Sequence, residues 1–195
     1  MKKIASVLLL STLCITFSCK TDKKETIESE KPPIEENVTK LKPREAKTVT
    51  IKLNSKSNSN VTGKIAFKDE EGIVKMYGRV NGLDQGVHAI HIHQTADCSS
   101  EDGKSAGGHW NPTAQPHGQW GDEKGYHKGD IGNFEADENG NGKIEFATDQ
   151  WCIGCGDPEK DILGKAIIVH QGTDDYTSQP SGAAGARVSC AGIIE

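Results

Sequence analysis

The chain lacks a basic excess: 23 Lys and Arg face 28 Asp and Glu over 195 residues, a formal balance of −5 with histidines neutral. General nucleic-acid binders usually carry the opposite balance, so that class is set aside. No segment sustains a 3.6-residue apolar period, which leaves strands to build the core. Nor does any apolar run reach the roughly 20 residues that cross a bilayer as a helix. The longest, Ile4 to Phe17, has 14. Hydrophobic residues make up only 34%, but 22 glycines bring the apolar-plus-glycine share near the roughly 45% of ordinary soluble domains. A folded, glycine-rich protein follows. Against two Met and seven Pro, the seven His and six Cys stand out and point to metal and sulfur chemistry.

Three segments are legible. Residues 1–19 have the form of a signal peptide, with Lys2 and Lys3 before the apolar run and Ser18-Cys19 after it. Thr16-Phe17-Ser18-Cys19 resembles a bacterial lipoprotein processing site, so Cys19 is expected to carry lipid. A plain cleaved secretory leader is the alternative. Residues 20–47 hold eight basic and seven acidic residues and no aromatic, too little apolar surface to offset ordering entropy, and read as a flexible tether. Residues 48–195 form the working domain, with 13 basic against 21 acidic residues, a balance of −8.

Within that domain eight short runs alternate apolar and polar residues or end in turn residues. They are Thr48–Leu53, Gly63–Phe67, Ile73–Val80, Ala89–His93, Ile131–Ala136, Lys143–Ala147, Lys165–His170 and Ala186–Cys190. Such a pattern predicts an all-β, eight-stranded antiparallel barrel or sandwich. Between His93 and Ile131 lies a glycine-rich stretch whose length implies a function, since long structureless loops are otherwise uncommon.

The histidines concentrate at strand ends and in that loop. His91-Ile92-His93 ends a strand-like run, and period-two geometry places both imidazoles on one face, about 7 Å apart at Cα. The loop adds His109, His117 and His127, with Asp130 close behind, and His170 closes the run Ala166–Val169. Three or four imidazoles suit copper or zinc, and imidazole with carboxylate suits zinc.

In this order the motifs resemble the copper/zinc superoxide dismutase family. They are His88-Ala-Ile-His91-Ile-His93, Ser105-Ala-Gly-Gly-His109-Trp-Asn-Pro112, His117-Gly118, His127-Lys-Gly-Asp130-Ile-Gly-Asn133, Ile162–His170 and Gly185-Ala-Arg187-Val-Ser-Cys190. The resemblance implies a Greek-key arrangement of the strands with long metal-binding loops. It implies copper on His91, His93, His109 and His170, and zinc on His109, His117, His127 and Asp130, one of each ion per subunit, with His109 shared. It further implies that Asp174 orients ligands of both metals, that His88 is a structural neighbour of the copper end, and that Arg187 docks the anionic substrate, superoxide. Arg187 and His109 are therefore the expected catalytic residues, and the implied reaction is dismutation by copper redox cycling. A non-catalytic copper-binding or copper-delivering lipoprotein on the same fold is the competing function.

The cysteines divide accordingly. Cys14 leaves with the leader, and the resemblance implies a Cys98–Cys190 disulfide. Cys152-Ile-Gly-Cys155 departs from the commoner family pattern: a small local disulfide is favoured over a redox pair or half a zinc site. Two further departures are the ten-residue step from His117 to His127, one longer than the resemblance implies, and a short stretch from His170 to Arg187. The second puts a charged guidance loop in question. Export to the periplasm or to an outer-membrane anchor of a bacterium is expected. The membrane would be met only through the lipid, and a homodimer and a monomer are both compatible with the family.

Overall fold

The computed structural model describes residues 46–195; the leader, Cys19 and residues 20–45 of the tether lie outside the described residues. Eight strands follow in order: β1 Lys47–Ser55, β2 Thr62–Glu70, β3 Ile73–Asn81, β4 Gly86–His93, β5 Gly132–Ala136, β6 Gly142–Thr148, β7 Ala166–His170 and β8 Arg187–Gly192. Each corresponds to one of the eight runs: β1, β2, β3, β4 and β6 extend beyond theirs, whereas β5, β7 and β8 begin one residue later than expected. β1 begins at Lys47, which pairs with Asp69 of β2, so this residue, assigned by composition to the segment before the domain, belongs to the barrel.

Alternation sets the faces. β1 buries Val49, Ile51 and Leu53 and exposes Thr50 and Lys52; β2 buries Ile65 and Phe67. Burying each such side chain contributes about 1.5–3 kcal/mol. The strands are joined as β1-β2-β3-β6-β5-β4-β7-β8, and β8 returns to pair with β1 at Asn54–Cys190 and Ser55–Ser189. Every pairing is antiparallel. β3 has β6 as its neighbour, and β4 lies between β5 and β7, so two connections cross the barrel end in the Greek-key manner. Closure removes the free strand edges.

β4 breaks the alternation, because every residue from His88 to His93 is buried. Its inner side chains, Ile90 and Ile92, enter the core, and the β4–β5 loop (residues 94–131) covers its outer face. That loop docks by backbone pairing: Ile92 N–H donates to the Gly129 carbonyl at 2.9 Å, and Trp110 N–H donates to the Ile92 carbonyl at 2.8 Å. Only glycine fits at 129, where a Cβ would lie 2.2 Å from the Ile92 oxygen. The approach places Asp130, the next residue, against the loop histidines His109, His117 and His127.

Candidate metal centre

Six of the seven histidines meet at this end of the barrel. His91 and His93 stand on the outer face of β4, His170 ends β7, and His109 pairs with His93 through a backbone bridge. Ring centroids place His109 at the middle, 4.0 Å from His91, 5.0 Å from His93, 5.3 Å from His117 and 5.5 Å from His127. All six are buried, and so are Asp130 and Asp174.

Hydrogen bonds hold four of the rings, those of His91, His93, His109 and His117, by one nitrogen and leave the other over. His91 Nε2–H and His117 Nε2–H donate to the two oxygens of Asp174, both at 2.8 Å. His93 Nδ1–H donates to the Gly107 carbonyl at 2.9 Å. The remaining atoms, His91 Nδ1, His93 Nε2, His109 Nε2, His117 Nδ1, His127 Nδ1 and both nitrogens of His170, are buried without a hydrogen-bond partner among the described residues. A buried polar atom left unpaired costs about 1–3 kcal/mol. Six rings with the same defect, aimed inward, are arranged for an ion.

The donors sort into two groups of four, each with ligand atoms within 4.8 Å of one another: His91, His93, His109 and His170, then His109, His117, His127 and Asp130. His109 belongs to both. Around the second group the Asp130 carboxylate lies 3.0 Å from His117 Nδ1 and 3.1 Å from His127 Nδ1. Neither contact has hydrogen-bond geometry. Asp130 is itself held by N–H groups of Gly118 (3.2 Å) and His127 (2.8 Å).

Electrostatics separates the two groups. Burial, reinforced by neighbouring rings, keeps His93 and His170 well below the usual histidine range. Burial also lowers His109 to about 4, against the pull of Asp130. Neutral imidazoles are the form that binds metal. Burial works the same way on His117, but Asp130 and Asp174 on either side outweigh it and raise the ring to about 9. Both carboxylates stay ionised although buried, because hydrogen bonds from the histidines hold their pKa values far down. The first group is all imidazole, and the second is N3O, the tetrahedral set that zinc favours.

A cavity of about 690 Å³ opens onto the first group and is lined by His93, His109, His170 and Arg187 among others. Arg187 Nη1–H donates to the Gly103 carbonyl at 2.9 Å, which holds the guanidinium at the cavity wall. The β7–β8 loop, residues 171–186, carries no Lys or Arg, so Arg187 is the only cation lining this opening among the described residues. His88 stays outside both groups, its ring nitrogens 3.1 and 2.9 Å from the carbonyls of His170 and Asp84.

Disulfides join Cys98 to Cys190 and Cys152 to Cys155. The first ties the 94–131 loop to β8. The second closes a turn that Asp161 organises by accepting N–H bonds from Gly154, Gly156 and Leu163.

Several supports escaped sequence reasoning. Asn133 exchanges two 2.9 Å hydrogen bonds with the backbone of Asp174. Gln179 does the same with His117. Gly182 sits where a Cβ would lie 1.8 Å from Asp174 Oδ1. Trp151 donates its indole N–H to the Lys128 carbonyl, between His127 and Asp130. Of these, only Asn133 stood in a quoted motif; the others depend on chain crossings that no spacing encodes.

A closed Greek-key barrel with a four-imidazole group and an N3O group sharing one histidine defines a protein built to hold two metal ions. The comparisons narrow the class. Residues 61–193 match the model of the family described as copper/zinc superoxide dismutase (SODC). A superoxide dismutase [Cu-Zn] of Onchocerca volvulus is 40% identical over 145 residues, covering 69% of this chain and 88% of the relative. Superoxide dismutase [Cu-Zn] 2 of Aquifex aeolicus is 34% identical over 143 residues, 71% of this chain and 81% of the relative. The crystal structure of the clock protein EA4 superposes with a TM-score of 0.65 at 32% identity, covering 75% of this chain and 94% of that one. The chain belongs to the copper/zinc superoxide dismutase family. It is accordingly an oxidoreductase of that type, with copper and zinc as its metals.

Proposed function

We propose that His91, His93, His109 and His170 hold copper, that His109, His117, His127 and Asp130 hold zinc, and that the chain converts two superoxide anions and two protons to dioxygen and hydrogen peroxide. The observation that carries this reading is the set of partnerless ring nitrogens directed into two centres that share His109. Copper supplies the one-electron couple, and zinc, which has no redox chemistry, supplies a fixed positive charge. The chain's own residues do the rest. Arg187 offers a permanent cation at the cavity wall, and its planar fork suits a small anion docked beside the first group. His109 Nε2, low in basicity when buried, takes a proton and passes it to the reduced oxygen species in the second half of the cycle. Asp174 fixes His91 and His117 in the tautomers that leave each Nδ1 free.

Non-turnover copper carriage is less well supported, since both ligand groups and Arg187 are intact. Export fits two disulfides, which persist in oxidising compartments. Lipid attachment at Cys19 in a bacterial periplasm or outer membrane rests on the leader alone. Assembly as a homodimer or a monomer follows from neither. The deciding experiment measures copper and zinc per chain and superoxide removal with and without cyanide, which blocks accessible copper. One of each metal and cyanide-sensitive activity are expected. Bound metal without activity would overturn the catalytic reading in favour of copper carriage. Lipidation is read from the mass of the mature N-terminus, which Cys19→Ala should shift.

A further inference from the structure

The domain's charge of −8 is unevenly spread. Six of the 13 Lys and Arg of residues 48–195 lie on the outer face of four adjacent strands: Lys52 on β1, Lys64 and Lys68 on β2, Lys75 and Arg79 on β3, and Lys143 on β6. Lys68 and Lys75 share one carboxylate, that of Glu70, at 2.5 and 2.8 Å. The other four form a row. Lys52 is the register partner of Lys64, Lys64 of Arg79, and Arg79 of Lys143. All four are exposed, and none of their side chains has an ion pair or hydrogen bond among the described residues. The acids that face this row are Glu145, two residues along β6, and Asp137, which feels Lys143.

Like charges directly opposite each other destabilise a sheet, and here three successive pairs are like. Adjacent strands lie about 4.8 Å apart, so the row runs roughly 14 Å across the barrel, one charge wide. Shallow grooves flank Lys64 on both sides, one of about 260 Å³ with Ala66, Tyr77 and Arg79 in its wall, the other of about 530 Å³ with Thr50 and Lys52. Tyr77 is 49% exposed and presents an apolar ring with a hydroxyl beside the cations. On the opposite flank Thr62 and Asn81 pair across β2 and β3 and offer neutral hydrogen-bonding groups.

We propose that this face binds an extended acidic polysaccharide, carboxylated or sulfated, laid across the strands along Lys52, Lys64, Arg79 and Lys143. The row supplies the charge, Tyr77 an apolar plane for a sugar ring, and Thr62 and Asn81 partners for hydroxyls. A lipid surface would meet a broad cationic face, whereas Glu145 and Glu70 border this one. The chain's own tether, with eight basic and seven acidic residues, is no polyanion.

The test uses the full-length, metal-loaded protein and measures binding of polygalacturonate, inorganic polyphosphate, uncharged dextran and phosphatidylglycerol vesicles. Polygalacturonate is expected to bind, to raise the unfolding temperature, and to lose affinity tenfold or more between about 50 and about 200 mM salt. Lys64→Gln/Arg79→Gln should weaken it at least tenfold with dismutase activity unchanged, while Lys124→Gln/Lys160→Gln, on loops elsewhere, leaves it intact. Tyr77→Ala should weaken polygalacturonate and spare polyphosphate. Equal binding by the Lys64/Arg79 variant overturns the proposal. So does binding confined to the vesicles or to polyphosphate.

Discussion

Gly182 allows a sharp test of how the two metal groups are held together. Its φ is +66°, and an added Cβ would lie 1.8 Å from Asp174 Oδ1 and 2.6 Å from His117 Nε2. Those are the two atoms of one 2.8 Å hydrogen bond, so Gly182→Ala cannot be accommodated without separating them. Left-handed backbone costs a non-glycine residue about 1–2 kcal/mol. Loss of a carboxylate–histidine bond of this kind typically weakens metal binding 10- to 100-fold, and tenfold corresponds to about 1.4 kcal/mol. Gly185 separates the two effects. It has φ +81° but no atom nearer than 3.8 Å to its Cβ position, so Gly185→Ala carries the backbone cost alone. Competition with a chromophoric chelator should show zinc affinity 10- to 100-fold lower in Gly182→Ala and near the parent value in Gly185→Ala. Equal zinc affinity in the two variants would falsify the view that Asp174 positions the zinc ligand His117.

Three further outcomes are expected. Arg187→Glu should slow superoxide removal by roughly 10- to 1000-fold in pulse radiolysis, the range over which local charge alters anion association, with metal content unchanged; a parent-like rate and salt dependence would remove Arg187 from the mechanism. In the metal-free protein His117 is protonated below about 9, so zinc must displace a proton, and its affinity should fall as pH drops below that value. Calorimetry in buffers of different ionisation enthalpy should count that proton, and zinc uptake with no proton released at pH 7 would contradict it. The disulfides should differ in weight: with sequence separations of 92 and 3, chain entropy gives about 4–5 kcal/mol for Cys98–Cys190 and about 2 kcal/mol for Cys152–Cys155. Denaturant unfolding of the two double Cys→Ser variants checks the order.

The strands were legible because period-two alternation is local, and all eight runs became strands. The metal groups were legible because each motif carries its donor in a short string, such as His91-Ile92-His93 or His127-Lys-Gly-Asp130. What orients those donors is not local. Gly129 meets Ile92, Gly182 meets Asp174 and Trp151 meets Lys128 only after the long loops have crossed the barrel. In one dimension Gly182 looks like any other of the 22 glycines. The buried-on-both-faces character of β4 was equally hidden, since it depends on a loop that folds back over the histidines.

Net charge was similarly blind to geometry. A domain at −8 should repel superoxide at long range, but at physiological salt that repulsion decays over about 8 Å. Within that distance of the cavity wall the local inventory governs, and there the cation is Arg187, with no acid in the lining. The short β7–β8 loop adds no Lys or Arg, so guidance depends on one guanidinium held by the Gly103 carbonyl. Of the twelve other Lys and Arg of residues 48–195, six lie on the outer face of β1, β2, β3 and β6, four of them in a row whose side chains make no ion pair among the described residues. Placing them at the cavity would have served the substrate. Their alignment elsewhere, in a register that repels, is the reason to look for a second and larger anion.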